Sequence, residues 1–105
     1  MVDVQVSCKH NGIKKIVVTG HAESAPVGEK DFVCAETSAI VIGGLNGLDE
    51  LFKNDCNLIL KDNHIEIRVL KKSDMLNMVL EFMLKQLQTI EETNPENIKI
   101  TRKEV

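Results

Sequence analysis

The sequence predicts an α+β fold of order ββαββαβ, a mixed sheet with two long helices packed on one face. Three observations carry that prediction: two pairs of short alternating segments each joined by a turn signal, a long apolar-rich segment after each pair, and one last alternating segment near the C-terminal end. Hairpins followed by helices build one sheet with segregated helices, rather than the strict alternation of a parallel α/β fold. The 105 residues, 43% apolar and 28% charged, suit a single domain over 1–105.

Each element follows from local chemistry. Val2, Val4 and Val6 alternate with polar neighbours, as a half-buried strand requires. Asn11-Gly12 predicts a tight hairpin, so residues 13–19 form a second strand antiparallel to the first. Gly20 lets the chain turn away from the sheet, which makes His21 a strand-end residue. Residues 22–30, with Ser24, Pro26 and Gly28, lack periodicity and read as a surface loop. Asp31 is a credible N-cap for a helix over 32–52. Its apolar residues cover almost the whole circumference, which predicts a central, buried helix. Gly43-Gly44 within it costs roughly 1 kcal/mol per glycine relative to alanine, and so marks a bend or close packing against another helix or a second subunit. Residues 58–60 and 65–69 form a second hairpin around Asp62-Asn63. Ser73 caps a helix whose Met75, Met78, Val79, Phe82, Met83, Leu87 and Ile90 recur at three- and four-residue steps until Asn94-Pro95 ends it. Residues 98–101 close the domain as a short strand.

The composition narrows the function. A net charge of −3 argues against a surface that holds nucleic acid and suits a basic protein substrate better. No run of about 18 apolar residues appears, and the N-terminal stretch lacks a basic-then-apolar signal region, so the expectation is a cytoplasmic protein without membrane contact. Three widely spaced cysteines, Cys8, Cys34 and Cys56, make no disulfide framework. They also lack the Cys-x-x-Cys pairs of a zinc site, and Cys8 with His10 is a poor substitute, so neither metal nor cofactor is expected.

The chemistry concentrates between residues 20 and 38. His21 stands at a strand end and Cys34, thirteen residues on, stands in the first turn of a helix, so an imidazole and a thiol flank one loop. Unpaired N–H groups, Cys34's own among them, and the positive end of the helix dipole favour a thiolate there. A neutral histidine beside it is the base that activates a cysteine for acyl transfer. Taken alone, an apolar-helix cysteine is more often a core residue and a strand-end histidine more often a satisfied one. Asp31 serves equally well as a plain cap or as an orienter of the histidine, and Ser38 as a support of the pair or a partner of its own helix.

Gly20-His21-Ala22, Gly28, Asp31-Phe32-Val33-Cys34-Ala35 and Ser38 together resemble the signature of the ribosomal-processing cysteine proteases, and the likeness in length and element order spans the chain. The resemblance implies that Cys34 is the nucleophile and His21 its general base. It places Gly20, Ala22 and Gly28 in a substrate-ordered loop, and Asp31 and Ser38 in supporting positions. It further implies removal of a short N-terminal extension from large-subunit ribosomal protein number twenty-seven, and a homodimer. The alternative from another class is a non-catalytic ribosome-associated module that binds protein or RNA and keeps the pair as packing.

Overall fold

The computed structural model describes residues 1–20 and 31–105. The elements run β1 (Val2–Lys9), β2 (Gly12–Thr19), α1 (Phe32–Leu51), β3 (Cys56–Lys61), β4 (His64–Val69), α2 (Asp74–Thr93) and β5 (Ile98–Glu104). The order is the expected ββαββαβ. The strands form one mixed sheet ordered β3-β4-β2-β1-β5, antiparallel except for β1 beside β5.

Alternation decides which face is covered. Val2, Val4, Val6 and Cys8 of β1 point inward with Ile16 and Val18 of β2, Ile67 of β4 and Ile98 of β5. Ile13 is also buried, although three positions from Ile16, because a bulge opposite Ser7 and Cys8 inserts one residue and restores the inward face. Against this face α2 lays Leu76, Leu80, Met83, Leu84, Leu87 and Ile90, at steps of three and four. Leu80, Leu84 and Leu87 are wholly buried, each contributing about 1.5–3 kcal/mol of apolar burial.

Several local expectations shift. The first hairpin turns on His10 and Asn11, both at positive φ, with Gly12 already paired to Lys9. Two left-handed residues in succession are what a two-residue turn of the I′ kind demands, and the loop falls one residue earlier than the Asn-Gly pair suggests. Strands β3 and β5 run longer than predicted, because pairing with β4 and with β1 continues past their apolar centres.

The first helix is not a central one. Only Val33, Thr37, Val41, Leu45 and Leu48 are buried, a single stripe, while Phe32 is 68% and Leu51 76% exposed. One sheet face accommodates one stripe of each helix, so the remaining apolar side chains stay outside. Of the glycine pair, Gly44 meets α2: a Cβ there would lie 2.7 Å from Met83 Sδ, whereas Gly43 faces open space. Among the described residues no helix is long and apolar enough to cross a membrane.

Candidate active site

The site is assembled at the N-terminal end of α1. Asp31 adopts an extended backbone and its Oδ1 accepts a 2.9 Å hydrogen bond from the Cys34 N–H, as an N-cap does for the third helical residue. The Ala35 N–H bonds the Asp31 carbonyl at 3.0 Å and starts the helix ladder. Capping thus corrects the expectation that Cys34's own N–H is unpaired: the group is already engaged. The helix-start donors that precede the ladder without this cap are those of Phe32 and Val33.

Cys34 is the one cysteine of the three that is not buried. Its side chain borders a cavity of about 180 Å³ that α1 shares with the sheet. From α1 come Cys34, Thr37, Ser38 and Val41. Val2, Val18 and Gly20 come from the β1–β2 pair, and Lys61, Asn63, His64 and Ile65 from the tip of the β3–β4 hairpin. The other two thiols stand in different surroundings. Burial first, and the charge of Asp55 second, push the Cys56 thiol up. Cys8, in the core, accepts a 3.1 Å bond from Arg102 Nε, while that guanidinium grips Glu81 through two bonds of 2.8 and 2.7 Å.

The end of β2 is held firmly. The Gly20 N–H donates to Asn63 Oδ1 at 3.0 Å, across the β2–β4 register that sets Thr19 opposite His64. Gly20 has φ +87, and a Cβ there would run into the Met1 carbonyl oxygen, so glycine is required by backbone angle and by space. The chain therefore reaches residue 21 from a fixed point on the rim of the Cys34 cavity. His21, Ala22 and Gly28 lie outside the described residues.

Sequence reasoning reaches Cys34, Asp31, Ser38 and Gly20, all of which the structure gathers at this end. It misses Lys61, Asn63 and His64, which lie 27 to 30 positions beyond Cys34 and arrive only through strand pairing. His64 Nε2 lies 3.5 Å from Glu66 Oε1, and Glu66 also takes a 3.1 Å bond from Arg68. Among the described residues no group of three or more His, Cys, Asp or Glu is arranged to hold a metal ion.

Comparison with known proteins bears directly on this arrangement. The family model for the cysteine protease Prp matches residues 1–99. The chain belongs to the family of Prp ribosomal-processing cysteine proteases. It is 34% identical over 107 aligned positions to the ribosomal processing cysteine protease Prp of Staphylococcus aureus, with 98% of this chain and all of that one covered. Two crystal structures of the Staphylococcus aureus Prp, each 30% identical, have the same fold over 98% of this chain and the whole of theirs. One, with a covalently linked product peptide, superposes with a TM-score of 0.87, and the other, with a substrate peptide, with 0.79. The ββαββαβ order and the five-stranded mixed sheet are thus those of Prp.

Proposed function

We propose that this protein is a cysteine endopeptidase that removes a short N-terminal extension from large-subunit ribosomal protein number twenty-seven, with Cys34 as nucleophile and His21 as general base. The observation that carries the reading is the position of Cys34: third residue of a capped helix, partly exposed, on a cavity of about 180 Å³, in a family whose relative is crystallised with peptides. The Cys34 thiolate attacks the scissile carbonyl carbon and forms the C–S bond, and the carbonyl oxygen becomes an oxyanion beside the helix-start N–H groups. His21, holding the thiol's proton, gives it to the leaving amine as the C–N bond breaks. Water then attacks the thioester, His21 takes its proton, and the carboxylic acid and the free thiol are released.

The negative charge of the chain suits a basic ribosomal substrate, and reduced thiols suit action in the cytoplasm. A second copy of the chain covers the outer face of the helices, where Leu51, Val79 and Phe82 stand exposed around a groove of about 450 Å³.

The experiment is mass spectrometry of the extended ribosomal protein after incubation with wild-type, Cys34→Ala and His21→Ala proteins. Only the wild type is expected to release the extension, with Cys34→Ala still binding it. Cleavage that survives loss of the thiol sinks the proposal, and binding without cleavage by the wild type favours the non-catalytic module.

A further inference from the structure

One threonine beside Cys34 breaks the rule that the other helical threonines obey. Thr37 follows Cys34 by one turn, is only 5% exposed and borders the same cavity, yet its Oγ1 has no hydrogen-bond partner among the described residues. A threonine within a helix ordinarily donates to the carbonyl three or four residues back. Thr89 does so to the Lys85 carbonyl at 2.9 Å and Thr93 to the Thr89 carbonyl at 3.1 Å. Thr37 has the Val33 and Cys34 carbonyls at the same offsets and uses neither.

Natural structures hold few such groups, because a polar atom shut away from water without a partner costs free energy. Val2, Val18, Val41 and Ile65 line the same cavity and have no use for the hydroxyl, its polar lining residues Ser38, Lys61, Asn63 and His64 do not bond it, and valine has almost the shape of threonine. The hydroxyl stands one turn from Cys34, on a cavity that has room for a partner from outside the described residues.

We propose that Thr37 is a substrate-binding residue whose hydroxyl donates a hydrogen bond to a backbone carbonyl oxygen of the peptide docked at Cys34. The inference rests on the proteolytic reading above. Rotation about χ1 between the two states open to a helical threonine swings the hydroxyl by about 120°, bringing the donor to the cavity side as the peptide enters. The apolar walls then take a side chain of the peptide while Thr37 fixes the main chain next to the sulfur.

The test compares wild-type, Thr37→Val and Thr37→Ser proteins on a synthetic peptide spanning the junction of the extension of the ribosomal protein, with thermal unfolding of each peptide-free protein. Thr37→Val is expected to unfold at or above the wild-type temperature, yet lose about tenfold in kcat/KM, mostly through KM, with Thr37→Ser recovering most of the loss. A Thr37→Val protein with wild-type KM overturns the proposal, as does one that unfolds well below the wild type, since the hydroxyl then has its partner in the empty protein. If wild-type protein leaves the peptide intact, the proteolytic reading and this one fall together, whereas wild-type cleavage with unaltered Thr37→Val kinetics removes only the role of Thr37.

Discussion

Replacing Asp31 by alanine removes the cap of the helix that carries Cys34. At the helix start the perturbation removes a 2.9 Å charge-assisted bond to the Cys34 N–H, at a half-buried residue. Loss of an Asp cap costs about 1 kcal/mol. At about 2.1 cal/mol/K per residue, a chain of 105 residues has an unfolding entropy of about 0.22 kcal/mol/K, so the midpoint falls by about 4–5 °C. Asp31→Asn keeps an oxygen acceptor in the same place and is expected to lose less than half as much. Thermal unfolding followed by circular dichroism at pH 7 separates the two variants. An Asp31→Ala protein as stable as wild type would show that the cap contributes nothing. An Asp31→Asn protein as weak as Asp31→Ala would show that the charge, and not the acceptor, holds the helix start.

Gly20→Ala forces a side chain into a left-handed backbone against the Met1 carbonyl oxygen, and is expected to lose at least about 2 kcal/mol of stability in urea unfolding; an unchanged midpoint refutes the backbone argument. Glu81 is held below the usual carboxylate range, first by its hydrogen bond from Arg102, so its contribution is present above the unfolded value of about 4.3 and is lost as pH falls through the lower folded value. Both side chains are partly exposed, so Glu81→Gln is expected to flatten the acid limb of the stability curve by well under 1 kcal/mol, with no change near pH 7 in the slope of stability against pH. Phe82, 67% exposed on the outer face of α2, is expected to lie within the contact between two copies: Phe82→Asp yields monomers in sedimentation without a lower unfolding midpoint, and an unaltered sedimentation coefficient removes α2 from that contact.

The sequence by itself determined the elements and the place of Cys34 in the first turn of the first helix. Turn residues, caps and the three-to-four periodicity of α2 act within a few residues, so Ser73, whose Oγ accepts from the Leu76 N–H at 3.1 Å, and Asp31 are readable without a fold. Burial of α1 was misjudged from the same information because its apolar residues surround the axis, and which stripe faces inward depends on how much sheet exists to cover it. Tertiary structure alone decided that β2–β4 pairing brings Asn63 and His64 to the cavity beside Cys34. It alone buried Thr37 without a partner among the described residues. Those facts rest on contacts between segments far apart in the chain, and such contacts have no signature in the local order of residues.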